Sequence, residues 1–321
     1  MVRKWLKMMR IHTSCLTQAG MIIGCLLAGA GNLWNIVLVA VIGLLFHIWG
    51  FIDNNLQDYS WDKKDPHKKH FPSVDGSIKH ERAAQFAALS GTIAMFLVIW
   101  ASGRSFMAIG FTVAAFLMGM GYNHLSKYTT LAPLLISGSF SMLPLVGYTI
   151  FSSDLSPEIL MVAGFAFIMM MYQISVEGYM KDLKADPVSL MRDMGVVLKD
   201  DQLKIPLGAY LYGLYIRVCI MTILFLFISV HYMSPLFTLL LIVVVLMQLM
   251  GHDGLMSMEE FDHKDINRMC AFIEIMTYLG LVFALSGIFG TTMTVFLTVY
   301  PITWFVVLNK LTWGTVIMPD V

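Results

Sequence analysis

Two short acidic runs in this chain have the residue types and spacing for metal chemistry. The first reads Asp53-Asn54-Asn55-Leu56-Gln57-Asp58-Tyr59-Ser60-Trp61-Asp62, and within it Asn54, Asp58 and Asp62 recur every four residues. If the apolar run before them stays helical for two more turns, these oxygen-bearing side chains stack on one face. Such a stripe suits Mg2+, which accepts a few carboxylates, keeps waters and takes further ligands from phosphate oxygens. The second run, Glu177-Gly178-Tyr179-Met180-Lys181-Asp182-Leu183-Lys184-Ala185-Asp186-Pro187, repeats the spacing with Asp182 and Asp186. Taken singly, either run also reads as a solvated helix end with capping residues. Together they say more, because facing carboxylates repel unless cations lie between them. A shared metal–diphosphate site accounts for both runs at once. Lys68 and Lys69 follow the first run, Lys181 and Lys184 interleave the second, and Tyr122, Lys127 and Arg10 flank apolar segments. Groups of this kind clamp phosphate oxygens, although lysines anchored at a membrane face would occupy the same positions.

The elements that must position these residues are apolar. Of 321 residues, 58% are hydrophobic and only 13% charged, where a soluble domain carries about a quarter. A bilayer has to cover what polar surface cannot. A span needs roughly 20 apolar residues. Ten stretches qualify: 13–30, 33–52, 84–102, 105–122, 131–151, 157–177, 208–230, 234–250, 270–289 and 291–309, the last two separated only by Phe289-Gly290-Thr291-Thr292. The predicted fold is all-α, a polytopic transmembrane helical bundle of nine or ten spans, read as one domain over 1–321.

Charge gives the orientation. With the N-terminus inside, one side collects Arg3, Lys4, Lys7 and Arg10, the Lys63–Arg82 loop, Lys127, the Lys181–Lys204 loop, Lys264, Arg268 and Lys310. The other side keeps Arg104, and Arg217 falls within a span. This is the positive-inside pattern. It puts the long polar connections at about 53–83, 178–207 and 251–269, with both acidic runs, in the cytoplasm. The basic start leads into a series of spans, so no cleaved leader is expected. Net charge is zero and gives no argument for a nucleic-acid partner. Cys15, Cys25, Cys219 and Cys270 form no CxxC pair and read as small buried hydrophobes. The 26 methionines read as packing between helices.

The two runs, in the loops after the second and sixth spans, resemble the paired motifs of the UbiA superfamily of intramembrane prenyltransferases. An NDxxDxxxD-type motif corresponds to Asn54-Asn55-x-x-Asp58-x-x-x-Asp62, and a DxxxD motif to Asp182-x-x-x-Asp186. Tyr122 and Lys127 resemble a family tyrosine and lysine after the fourth span. Lys68-Lys69-His70-Phe71-Pro72 resembles its basic-Pro element, and Arg10-Ile11-His12 its lead into the first helix. The resemblance covers roughly 10 to 290. It implies a prenyl diphosphate bound through Mg2+ to Asn54, Asp58, Asp62, Asp182 and Asp186, with the four aspartates catalytic. It also implies that Lys68, Lys69, Tyr122, Lys127, Lys181 and Arg10 sit on the substrate, and that the prenyl group passes to an aromatic or lipid acceptor in the bilayer. Phe46, Trp49, Tyr122 and Tyr172 are candidates to shield an allylic cation, or else packing residues. Three departures stand out. Asn55 replaces the usual first aspartate, the family usually has nine spans, and Pro187-Val188-Ser189-Leu190-Met191-Arg192 replaces a Gly and Thr pattern.

Two other functions fit parts of the sequence. A membrane terpene cyclase of the same superfamily would use the same acidic runs without an external acceptor. A transporter would use ionisable groups in spans, here His47, Arg217 and Glu274, but the regularly spaced acids lie in loops. The His252 to Arg268 segment, with Glu259, Glu260, Asp262, His263 and Asp265, has residue types that could bind a metal but reads first as a solvated amphipathic connector over the site.

Overall fold

The computed structural model describes residues 1–64, 68–69, 71–184 and 186–315; His70, part of the basic-Pro element, lies outside them. The chain is helical almost throughout. A short basic helix α1 (Val2–Met8) precedes a 3-10 turn (Ile11–Thr13) and α2 (Ser14–Leu27). Then come α3 (Leu33–Gln57), α4 (Tyr59–Asp62), α5 (His80–Ala101), α6 (Phe106–Leu125), α7 (Ala132–Thr149) and α8 (Pro157–Tyr172). A π-helical turn (Gln173–Gly178) leads into α9 (Tyr179–Lys181), α10 (Leu190–Asp193) and a hairpin of β1 (Val197–Lys199) and β2 (Gln202–Lys204). The chain ends with α11 (Leu207–Val230), α12 (Pro235–Met256), α13 (His263–Ala284) and α14 (Ser286–Trp313).

Among the described residues nine helices are long and apolar enough to span a bilayer, and Ile11–Leu27 is a shorter apolar one. The polytopic bundle expected from hydropathy is what the chain forms. The helices bury backbone polar groups internally, as a hydrocarbon environment demands. Their outward faces carry exposed apolar side chains, such as Leu236, Leu239, Ile242, Leu246 and Met250 on α12. The division that the sequence placed at Phe289–Thr292 is present: the helical winding within α14 breaks at Gly290. Its φ of 71° and ψ of 174° belong to a region open essentially to glycine.

Local chemistry sets the helix ends. Asn32 and Ser234 cap α3 and α12 through their side chains, with Pro235 in the first turn of α12. Asp262 caps α13, and the backbone N–H groups of Asp265 and Lys264 hold its carboxyl below the usual carboxylate range. The 251–269 connection is therefore mostly helix, and only 257–262 joins α12 to α13.

The helices group into two compact units: residues 1–125, 138–166 and 299–321, and residues 126–137 and 167–298. In the first unit α2 packs closely on α3, and α3 on α5. Gly24 of α2 lies so near α7 that a Cβ there would sit 2.1 Å from the Pro144 carbonyl oxygen. Small residues allow such backbone approach in membranes. In the second unit α12 packs along α13. There the hairpin turns through Asp200 and Asp201, both with positive φ, the geometry of a two-residue primed turn. Leu203 N–H donates to the Glu259 carbonyl at 2.7 Å, and Phe261 N–H to that of Asp201 at 2.8 Å. The 257–262 connector thus adds a strand-like edge to the hairpin.

Candidate functional site

The first acidic run is wound as the spacing predicted. Asp58 N–H donates to the Asn54 carbonyl and Asp62 N–H to that of Asp58, both at 2.9 Å. Asn54, Asp58 and Asp62 therefore sit on successive helical turns, one above another. The Asn54 amide nitrogen donates to Asp58 Oδ2 at 3.2 Å, which leaves its carbonyl oxygen as an acceptor. Asp58 and Asp62 are buried, and Lys68 reaches Asp62 Oδ1 at 2.8 Å. Lys69 is exposed.

Asn55 belongs to a different contact. It is 1% exposed, and its amide nitrogen donates to the Met8 carbonyl at 2.8 Å. A carboxylate could not make that bond. The departure from the family motif thus serves the seating of α1, not the acidic stripe.

Arg10 adopts a left-handed backbone, φ 43° and ψ 44°, uncommon for a residue with a Cβ. Buried His47 on α3 holds it there, its Nε2 lying 3.2 Å from the Arg10 carbonyl. A carbonyl only accepts, so Nε2 carries the proton, and Nδ1 of a neutral ring accepts from Thr17 Oγ1 at 3.0 Å. The Arg10 guanidinium lies 5.3 Å and 5.8 Å from the Phe51 and Phe71 ring centroids. Asn123, at the end of α6, donates to Asp53 Oδ2 at 2.7 Å and to the Gly50 carbonyl at 3.2 Å. It ties the half-buried Tyr122 turn to the helix bearing the first run.

The second unit repeats the arrangement. Asp182 N–H donates to the Gly178 carbonyl at 3.0 Å and Asp186 N–H to that of Asp182 at 2.9 Å, so these two aspartates are again one turn apart. Lys127 reaches Asp186 Oδ1 at 2.5 Å with both side chains mostly buried. Lys181 lies among Glu274, Glu177 and Asp182. Lys184 pairs with Asp201 at 2.5 Å and lies 4.8 Å from the Phe261 ring centroid. Arg192, from the segment that departs from the family pattern, donates to the Leu183 carbonyl inside the motif. A cavity of about 550 Å³ beside the hairpin is lined by Leu183, Lys184, Arg192 and Asp200 among others.

Of its two readings Tyr172 takes the packing one: it is fully buried, and the Arg217 guanidinium carbon sits 3.4 Å from its ring centroid. One expectation is corrected. His252 is not in a solvated connector: it is fully buried in α12. Its Nε2 faces the Tyr210 carbonyl at 3.2 Å, so Tyr172 OH donates to Nδ1 at 2.8 Å. Phe46 and Trp49 pack with Phe116 at centroid distances of 5.0 and 4.5 Å.

Among the described residues no three His, Cys, Asp or Glu side chains gather closely enough to hold a metal alone. Each unit offers one pair of carboxylates, supplemented in the first by an amide oxygen. These hard oxygen donors fit Mg2+, which binds through one or two carboxylates and fills its remaining positions with water and phosphate oxygens.

Residues 19–273 match the UbiA prenyltransferase family. No curated protein sequence matches the chain. Among solved structures, a digeranylgeranylglyceryl phosphate synthase is similar at 16% identity and TM-score 0.64, over 90% of this chain and 99% of that one. A UbiA homologue from Aeropyrum pernix K1 is similar at 15% identity and TM-score 0.63, over 85% and 98%. A UbiA homologue from Archaeoglobus fulgidus, bound to GPP and Mg2+, is similar at 12% identity and TM-score 0.57, over 96% and 99%. At such identities the solved structures speak for the fold, while the family match extends over most of the sequence. This chain belongs to the UbiA prenyltransferase family.

Proposed function

We propose that the protein transfers a prenyl group from a prenyl diphosphate to an aromatic or lipid acceptor within the membrane, with Mg2+ held by Asn54, Asp58, Asp62, Asp182 and Asp186. One observation carries this reading: both acidic runs are wound as stacked turns, and each has a lysine on one of its carboxylates. The A. fulgidus relative with GPP and Mg2+ supports the same substrate class and metal here. When bound, Mg2+ neutralises charge developing on the departing diphosphate.

The chain's own residues do the rest. Lys68 and Lys127 already stand against the motif carboxylates and turn to phosphate oxygens as the substrate binds. Arg10, Lys69, Lys181 and Tyr122 complete the cradle. Positive groups aimed where charge develops stabilise the transition state more than the ground state. The apolar helices keep water from the reacting carbon. The distribution of basic residues supports a cytoplasmic side for the motif-bearing ends and the N-terminus.

The test uses purified protein in detergent or nanodiscs with farnesyl or geranylgeranyl diphosphate. Mg2+-dependent release of diphosphate is expected, abolished by chelation. Asp58→Ala, Asp62→Ala, Asp182→Ala and Asp186→Ala should each lower it by at least about 100-fold while leaving the protein folded. No release from any prenyl diphosphate, or normal release in any two variants, refutes the assignment. A cyclised product formed without acceptor, identified by mass spectrometry, would replace transfer with cyclisation.

A further inference from the structure

Arg217 is the only charged residue of α11 and is 1% exposed. An ionisable group buried within a span needs a partner and a reason. Its Nη1 donates to Thr277 Oγ1 at 2.6 Å, and its Nη2 lies 3.5 Å from Oε1 of Glu177, itself fully buried. None of these groups belongs to the acidic motif, but Glu177 lies in the π-helical turn Gln173–Gly178 immediately before it.

That turn is the footing of the second motif. Asp182 hangs from the Gly178 carbonyl, and Asp186 from that of Asp182. A π turn accommodates one residue more than an α turn, so it rotates everything beyond it by about 100° relative to α-helical winding. The direction in which Asp182 and Asp186 project therefore depends on this turn staying π-wound. Such turns are rare and cluster at functional sites. Helix α11 grips this one twice, through Arg217 on Glu177 and through Tyr212 OH, which donates to Ser175 Oγ at 3.0 Å.

We infer that Arg217 is a positioning residue for the second acidic motif: by holding Glu177 it keeps Gln173–Gly178 π-wound and sets the direction of Asp182 and Asp186. The inference rests on the metal-binding role proposed above. Without the grip the turn relaxes toward α, and the two carboxylates swing off their common target. The prenyl chain, bound by apolar surface, is unaffected.

The variants are Arg217→Lys, Arg217→Met and the double variant Glu177→Gln/Arg217→Met, which removes both charges of the pair together. Two measurements are made on the full chain: hydrogen exchange over residues 173–186, and Mg2+ titration of diphosphate release. Arg217→Met and the double variant should exchange faster over that segment. They should also need at least ten-fold more Mg2+ for half-maximal rate and show lower kcat, with little change in substrate KM at saturating Mg2+. Arg217→Lys should recover part of both effects. A folded double variant with wild-type exchange and Mg2+ dependence overturns the inference, as does a double variant that fails to fold, which would make the pair a folding element only. Exchange needs no turnover, so the two readings fail separately. A wild-type protein that releases no diphosphate refutes the function while the exchange result stands.

Discussion

Asn55→Asp restores the carboxylate that the family usually has at this position, yet the structure says it should harm the protein. The side chain is 1% exposed and donates to the Met8 carbonyl at 2.8 Å. The substitution changes shape hardly at all, so the whole effect lies in the hydrogen bond. An ionised carboxylate has no donor and would set its negative oxygen against the carbonyl oxygen. Stranding a buried acceptor costs about 1–3 kcal/mol, more when a charge is involved, a shift of about 5- to 150-fold or more in the folded population. The loss should concentrate where α1 meets α3. The assays are unfolding in detergent and hydrogen exchange across Val2–Met8, each over a range of pH. Stability should fall at neutral pH, and α1 should exchange faster than any other helix. Acidification should narrow the gap to wild type, because a protonated carboxyl regains an O–H donor. The Mg2+ requirement for release should not improve, since this side chain is engaged with Met8 and not with the stripe. Wild-type stability together with unchanged protection of α1 would refute the reasoning; so would a tighter Mg2+ requirement.

Two further outcomes are expected. Lys127→Ala removes the cation at 2.5 Å from Asp186 and should raise KM for the prenyl diphosphate by about ten-fold or more; unaltered KM and kcat would reduce Lys127 to a membrane anchor. His47→Leu deletes the donor that fixes the Arg10 backbone. It should raise KM several-fold with little loss of kcat, and His47→Gln, whose amide can still donate, should recover it. Equal KM in all three proteins would mean that the left-handed turn at Arg10 holds without His47.

Spans and motifs were legible because their signals are local. A run of about 20 apolar residues declares a span, and a spacing of four declares a helical stripe, as Asn54, Asp58 and Asp62 show. The last division was legible too, since Gly290, which breaks the winding, stands in the short link between two apolar runs. The supporting contacts were not legible at all. His47 meets Arg10 across 37 residues, Asn55 meets Met8 across 47 and Tyr172 meets His252 across 80. No spacing rule joins residues so far apart. Tyr172 read either as a cation shield or as packing, because the cation that covers it comes from another helix. The hairpin was read as a polar loop, since Asp200-Asp201 lacks the glycine that usually announces a primed turn. Gln173-Ile174-Ser175-Val176-Glu177-Gly178 carries no local mark of π winding.

The backbone pairing of the hairpin with residues 257–262 ties two connections into a single strap. The link between α12 and α13 cannot shift without carrying β1 and β2 along, and Lys184 couples that piece to the turn ending in Asp186 through Asp201 and Phe261. Exchange of either connection for that of a relative therefore has to include the other. Transplanted alone, each would arrive with an unpaired edge and no counterpart for its amides.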